Sequence, residues 1–260
     1  MDDCRISIRD VHLYYPSALF NGRTLKQTVF ELLRLQKPKP LLMDVHALKG
    51  LSLEISSGER VGIIGSNGAG KSTLLKAISG IYPITSGTIE VNGTVRSLFD
   101  LSIGFEVDAT GRENILYRGL LLGESPESIE ARMDDIIEFA ELGEFIDYPI
   151  KSYSSGMLVR LAFSISTMIS GDILLLDEIF GAGDAAFMQK ARKRITDLVD
   201  SASILVFVSH DLSALSRMCT RVVWIDNGTV RMDGLPYEVI NEYYKAHNIP
   251  TEAAPPQEEV

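Results

Sequence analysis

Ile63-Ile64-Gly65-Ser66-Asn67-Gly68-Ala69-Gly70-Lys71-Ser72-Thr73-Leu74-Leu75 carries an apolar run straight into G-x-x-x-x-G-K-S and then into a helix-like pattern. The stretch reads as a phosphate-binding P-loop. Glycines let successive backbone N–H groups turn inward around phosphate oxygens, and the helix that follows adds the positive end of its dipole. On this reading Gly65, Ser66, Asn67, Gly68, Ala69 and Gly70 form the cradle. Lys71 reaches the β- and γ-phosphates, Ser72 ligates Mg²⁺, and Thr73 completes the nucleotide-binding set.

Working outward, Ile6 to Leu13 alternates as a strand does, and Leu48 to Ile55 is apolar on one face. Arg60 to Ile64 feeds the P-loop, and Leu74 to Ser79 continues its helix. Thr88 to Val91, the turn Asn92-Gly93 and Thr94 to Leu98 read as a hairpin. Together these predict a small antiparallel sheet beside a parallel, P-loop-bearing one. Between Pro126 and Leu142, the residues Ile129, Met133, Ile136, Ile137 and Ala140 fall at helical spacing. Leu158, Leu161, Ala162, Ile165 and Ile169 do the same, so a helical insert is expected. Strands at Ile173 to Leu176 and Ile204 to Val208 flank a helix over about Ala186 to Val199, which is a βαβ pattern. Val222 to Ile225, Asp226-Asn227-Gly228 and Thr229 to Met232 predict a last hairpin, followed by a helix near Pro236 to Lys245. From Asn248 the composition, rich in proline and glutamate, predicts disorder.

At 260 residues and 45% hydrophobic content, the chain has room for one substantial core, or a core plus a subdomain. Two cysteines, Cys4 and Cys219, are too few and too far apart for a disulfide framework or a metal cluster, so a reducing compartment is expected. The start Met1-Asp2-Asp3-Cys4-Arg5 lacks the basic and apolar regions of a secretory signal. Long apolar runs are interrupted by charge or glycine, so no transmembrane helix is expected, and a membrane role requires a separate spanning subunit. The formal net charge of −10 argues against a general nucleic-acid binder, because phosphate neutralisation needs clustered Lys and Arg.

Ile173-Leu174-Leu175-Leu176-Asp177-Glu178 is an apolar strand ending in two carboxylates. In a P-loop protein the first, Asp177, holds Mg²⁺ and the second, Glu178, polarises the attacking water. Ser154, Ser155 and Gly156 open the helix from Met157, where they cap its N-terminus or bind an anion. Ser209-His210-Asp211 is not a hydrolase triad, because consecutive residues cannot adopt the required mutual geometry.

Taken in chain order, the P-loop, Tyr153-Ser154-Ser155-Gly156-Met157, Ile173 to Glu178 and Val206-Phe207-Val208-Ser209-His210-Asp211 resemble the nucleotide-binding domain of ABC transporters over almost the whole chain. The serine-rich signature followed by Val159-Arg160-Leu161-Ala162-Phe163, with Thr110-Gly111-Arg112-Glu113-Asn114 upstream, resembles one branch of that superfamily. Its members export lipid-linked polysaccharides such as O-antigen, capsule or teichoic acid. The resemblance implies an α/β P-loop fold with a parallel-core sheet, a small antiparallel β-subdomain and a helical subdomain. It implies an ATPase domain over 1–245, with the helical part at about 112–170 and an acidic tail over 246–260. ATP and Mg²⁺ are the implied cofactors, and Lys71, Glu178 and His210 the implied catalytic residues, His210 sensing the γ-phosphate. Ser154, Ser155 and Gly156 would contact ATP held by a second copy of the chain, which implies a head-to-tail dimer. Asp184 matches the acidic end of the loop after the catalytic glutamate, and Ile179 stands where the family usually has proline. Adenine stacking falls to an aromatic near the N-terminus, where Tyr14 and Tyr15 compete. Alignment by the strand's end favours Tyr15, against an inward-packed core tyrosine as the alternative. The family's loop glutamine is missing, since no glutamine occurs from Asn67 to Met188. Glu106 or Asp100 is then left to contact the water and Mg²⁺.

The segment 18–44 is long for a connection in this fold. Leu25, Val29, Leu32 and Leu33 share one helical face, and Arg23, Lys26, Arg34, Lys37 and Lys39 stand against Glu31. Such a basic amphipathic insert either meets a membrane surface or a lipid-linked pyrophosphate, or packs on the core with a solvated face. The expected activity is ATP hydrolysis at the cytoplasmic face of the inner membrane, in a peripheral subunit. It would power a polytopic transmembrane exporter and act on the lipid-linked polysaccharide only indirectly. The alternatives are an ABC ATPase for another cargo, or a soluble ABC-type ATPase acting on nucleic acid or ribosomes. The latter usually has paired domains or a long coiled coil, neither of which this sequence contains.

Overall fold

In a computed structural model the described residues are 4–15, 44–99, 104–168, 171–177 and 185–248. Glu178, Ile179, Asp184, Asp100, Ile169, nearly all of the basic insert and the tail from residue 249 lie outside them.

The N-terminal half alternates between two sheets. Arg5–Tyr15 (β1) and Val45–Ser56 (β2) pair antiparallel, with Ile6 opposite Ile55 and Ile8 opposite Leu53. Arg60–Ile64 (β3) runs into the P-loop and then into Lys71–Ile78 (α1). Ser86–Asn92 (β4) returns to β1, completing a three-stranded sheet in the order β2-β1-β4. Val95–Leu98 (β5) belongs to the other sheet.

β4 and β5 therefore do not form the hairpin that Asn92-Gly93 suggests. Of the two turn residues only Gly93 has a positive φ, at 125°, whereas the type I′ hairpin turn that Asn-Gly favours needs both, and type II′ needs it at the first. Asp172 decides the path instead. Its Oδ2 accepts from the Thr94 N–H at 2.8 Å, and the Ile173 N–H donates to the Thr94 carbonyl at 3.1 Å. These bonds draw the chain out of one sheet and into parallel pairing in the next.

Three helices follow: Gly111–Leu121 (α2), Pro126–Ala140 (α3) and Ser155–Thr167 (α4). Their expected apolar faces meet, with Ile115, Ile129, Ile136, Ala140, Leu161 and Ile165 buried in a cluster of their own. Ile173–Asp177 (β6), Ala185–Ser201 (α5) and Ile204–Val208 (β7) make the expected βαβ unit, its strands adjacent and parallel. Leu212–Met218 (α6), Arg221–Asp226 (β8), Thr229–Gly234 (β9) and Pro236–Ala246 (α7) complete the described fold. β8 and β9 form the expected hairpin.

The larger sheet has the order β5-β6-β7-β3-β8-β9, antiparallel only at its β9 edge. β3, β6 and β7 are continuous apolar runs because both of their faces are covered. Val61 and Ile63 pack toward α1 and the antiparallel sheet, while Ile64 packs with Phe187, Phe207 and Trp224 on the opposite face. Parallel pairing sets Ile63 beside Val208 and Asp177 beside Val208. The C-terminal ends of β3, β6 and β7 therefore open at one edge, where ligands bind in open α/β sheets.

Candidate functional site

α1 starts without a side-chain cap. Gly70 holds the N-cap position at φ 108°, and a β-carbon there would meet the Ala47 carbonyl oxygen at 2.8 Å. The loop thus needs glycine for its backbone conformation and for its closeness to β2. The N–H groups of the first helical turn are left for an anion.

A cavity of about 700 Å³ opens over this turn. It is lined by Asn67, Gly68, Gly70, Lys71, Ser72 and Thr73 from the loop and helix, and by Asp177 and His210 from the ends of β6 and β7. These positions span more than half the sequence and meet because β6, β7 and β3 are neighbours. Gly65, Ser66 and Ala69 are not on the cavity wall: Gly65 and Ala69 are buried, and Ser66 is exposed. Lys71, buried despite its charge, donates through Nζ to the Gly65 carbonyl at 2.8 Å and the Ser66 carbonyl at 3.1 Å. Ala69 is itself buried, and its N–H donates to the Ser66 carbonyl at 3.1 Å. The Ser72 hydroxyl and Asp177 carboxylate are hard oxygen donors on the same cavity, a set that fits Mg²⁺.

The two candidate tyrosines part company. Tyr15 lines the cavity, its hydroxyl 2.9 Å from Thr73 Oγ1 and its ring edge-on to Tyr82. Burial pushes its phenol above the ordinary pKa, so it stays protonated. Tyr14 is absent from the cavity wall and stacks on His46, with ring centroids 3.9 Å apart.

Ser154 caps α4, its Oγ accepting from the Met157 N–H at 3.3 Å. Ser154 and Ser155 are exposed, and with Gly156 they stand outside the cavity wall of their own chain. Just upstream, Tyr153 is buried and donates its hydroxyl to the Phe145 carbonyl, which anchors the segment.

Glu106 is not brought to the cavity. Its backbone is clamped to α2 by Asn114, whose Oδ1 accepts from the Glu106 N–H at 2.8 Å and whose Nδ2 donates to the Glu106 carbonyl at 3.0 Å. Its carboxylate accepts from the nearby Asp108 N–H at 3.3 Å. The motif Thr110 to Asn114 thus has a structural role: Thr110 and Glu113 form a capping box, and fully buried Asn114 ties down the preceding loop.

Sequence reasoning missed the wall supplied by Val45, His46, Ala47 and Lys49, and also Phe99 and Asn227. Asn227-Gly228 was legible as a turn. Its place beside the P-loop comes from the Gly228 N–H donating to the Ala69 carbonyl at 2.9 Å and the Lys49 N–H to the Gly228 carbonyl at 2.9 Å. No local pattern signals such contacts.

Residues 48–181 match the family model described as ABC transporter. The chain is 47% identical over 234 residues to the O-antigen export system ATP-binding protein RfbB of Myxococcus xanthus, covering 87% of this chain and 54% of that one. To the O-antigen export protein RfbE of Yersinia enterocolitica it is 40% identical over 225 residues, 85% of this chain and 94% of the relative. To the teichoic acids export ATP-binding protein TagH of Enterococcus faecalis it is 47% identical over 197 residues, 76% and 44%. The chain thus spans about half the length of the Myxococcus and Enterococcus relatives and nearly all of the Yersinia one. Among solved structures, the ATP-binding cassette MJ0796, a dimer bound to ADP and Pi, has a TM-score of 0.64 at 21% identity, covering 89% of this chain and 98% of that one. That likeness shows the fold.

Proposed function

Because the chain belongs to the ABC transporter family, we propose that it is the ATP-hydrolysing subunit of an exporter moving a lipid-linked polysaccharide across a membrane through a separate spanning subunit. The observation that carries the ATPase reading is the convergence of Lys71, Ser72, Asp177 and His210 on one cavity over the uncapped start of α1. The cargo reading is supported by relatives named for O-antigen and teichoic acid export. No helix among the described residues is long and apolar enough to cross a membrane, which suits a peripheral subunit on the cytoplasmic face.

In this reading the loop N–H groups and Lys71 bind the ATP phosphates, and Ser72 and Asp177 would hold Mg²⁺, which would supply charge neutralisation there. Glu178, next in sequence after Asp177, is the general base. His210 holds the γ-phosphate and the water in line. Tyr15 takes adenine. Exposed Ser154 and Ser155, with half-buried Gly156, stand away from their own cavity and face the γ-phosphate bound by a second copy, so closure requires a head-to-tail pair. The domain division proposed is 1–245 for the ATPase, with the helical part at about 112–170. Tyr117, Leu120 and Leu121, exposed at i, i+3 and i+4 on α2, supply an apolar stripe for the spanning subunit.

The test has two arms. The purified chain should release phosphate from ATP only with a divalent cation, and EDTA should abolish turnover. Deletion of its gene should leave polysaccharide on its lipid carrier inside the cell and none at the surface. Phosphate release that ignores EDTA would sink the enzyme reading, and unchanged surface polysaccharide would sink the cargo.

A further inference from the structure

One wall of the cavity, made by Tyr15, Val45, His46, Ala47 and Lys49, is partly aromatic, and one member of it is held in place more elaborately than strand pairing requires. His46 lies on β2 beside Val45 and Ala47, and all three line the cavity together with Tyr15. Tyr14, its cross-strand partner on β1, covers one face of the imidazole, the two rings being 13° from parallel. On the ring edge, Nε2 of His46 is 3.0 Å from Nδ1 of His12. The other nitrogen of His12 is 3.4 Å from Asp10 Oδ1.

This chain of groups depends on irregular backbone. β1 shifts register against β2 between Ile8 and Val11, between Val11 and His12, and between Leu13 and Tyr14. Asp10 adopts a left-handed φ of 47°, its N–H donating to Ser52 Oγ at 2.9 Å. Opposite it stands Gly50, where a β-carbon would meet Asp10 Oδ1 at 2.9 Å and His12 Nε2 at 3.4 Å. A bulge re-aims the side chains that follow it, and here it sets Tyr14 opposite His46.

We propose that His46 is a nucleotide-contacting residue on the base-and-ribose side of the cavity, and that Tyr14, His12 and Asp10 are positioning residues that hold its ring there. The inference rests on the ATP-binding reading above. With the phosphates taken by the start of α1 and by Lys71, the uncharged half of a nucleoside triphosphate falls against the wall made by Tyr15, Val45 and His46. Partial burial, with His12 and Lys49 nearby, holds the His46 imidazole below its ordinary pKa, so it is neutral at pH 7. A neutral flat ring suits a nucleobase or ribose and has no charge to offer a phosphate.

The test is titration calorimetry of the full chain with two probes, the magnesium complexes of AMP-PNP and of inorganic tripolyphosphate, which lacks base and ribose. His46→Ala should weaken AMP-PNP binding about five- to tenfold and tripolyphosphate binding less than about twofold. His12→Ala and Tyr14→Ala should show the same selectivity with smaller losses, a pattern that general loosening of the strand would not produce. Should His46→Ala fail to fold, His46→Gln, which keeps an acceptor for His12, is read by the same criteria. Unchanged AMP-PNP affinity, or equal losses for both probes, overturns the assignment of His46. Lys71→Ala is the reference: it should weaken both probes. If it weakens neither, the ATP-site reading itself falls, and this inference with it.

Discussion

The ammonium of Lys71 donates to the carbonyl oxygen of Gly65, six residues earlier, at 2.8 Å, so the cation is folded against its own loop and only 7% exposed. Two carbonyl dipoles stabilise it there, and a phosphate oxygen offers a stronger, charge-assisted partner within reach of the same flexible side chain.

Replacing Lys71 with alanine should therefore remove an interaction that grows as charge shifts during phosphoryl transfer. ATP hydrolysis should fall by about 10²–10³-fold, with a smaller loss of ATP affinity. Steady-state phosphate release and equilibrium binding measure the two, and an unchanged hydrolysis rate would remove Lys71 from the mechanism.

Glu178→Gln should keep ATP binding while turnover drops by at least about 10²-fold, since the amide preserves shape but cannot accept a proton. The expected product is an ATP-bound dimer, visible by light scattering in excess MgATP. Near-normal hydrolysis by the variant would show that another group is the principal base.

Ser154→Arg should leave ATP binding by the single chain within about threefold of normal and lower hydrolysis by about tenfold or more, because a bulky cation blocks docking of the partner. Ser154 also caps α4, so Ser154→Ala serves as the control, at a cost of about 1 kcal/mol in stability. If hydrolysis by both variants merely tracks their thermal midpoints, the serine is a cap and nothing more.

Asn114→Ala removes the side-chain bonds to Glu106, Ala109 and Thr110 and leaves the part-buried Glu106 N–H without its acceptor, while the three carbonyls each keep a backbone donor. The loss should be about 2–4 kcal/mol, lowering Tm by roughly 5–12 °C. Calorimetric melting checks this, and a midpoint within about 2 °C of the parent would show that the clamp carries little stability.

Cys219 is buried, and burial pushes its thiol up to about 12. At pH 8 its thiolate is roughly one part in ten thousand. Iodoacetamide should leave Cys219 unmodified in the native protein and label it in denaturant, as read by intact and peptide mass spectrometry. Rapid native labelling would mean that the packing of α6 against β3 opens readily.

Much of this was legible in the sequence, wherever the deciding interactions were local. The P-loop is one contiguous run whose glycines, lysine and hydroxyls act through the backbone next to them. The apolar run into Asp177 announces a buried strand end, and the spacing of Ile129, Ile136 and Ala140 announces a buried helical face, as the packing shows. Ser154, four residues before Leu158, carries its own capping signal.

Other features were set by contacts between distant residues. Asn92-Gly93 has hairpin chemistry, yet Asp172, far along the chain, captures Thr94 and sends the next strand into a different sheet. Tyr14 and Tyr15 are adjacent and alike. The pleat and its bulges turn one onto His46 and the other toward Thr73. Glu106 is as plausible a water-side carboxylate as any in the sequence, but Asn114 fixes its backbone beside α2 and away from the cavity. His46, Lys49 and Asn227 belong to the cavity only because β2 and the β8–β9 turn close against the P-loop. Short-range chemistry thus determined by sequence alone which loop turns its donors toward an anion site, because those donors lie on consecutive residues. Which side chains wall the rest of the cavity was decided by tertiary structure, because sheet pairing between distant strands brings those walls together.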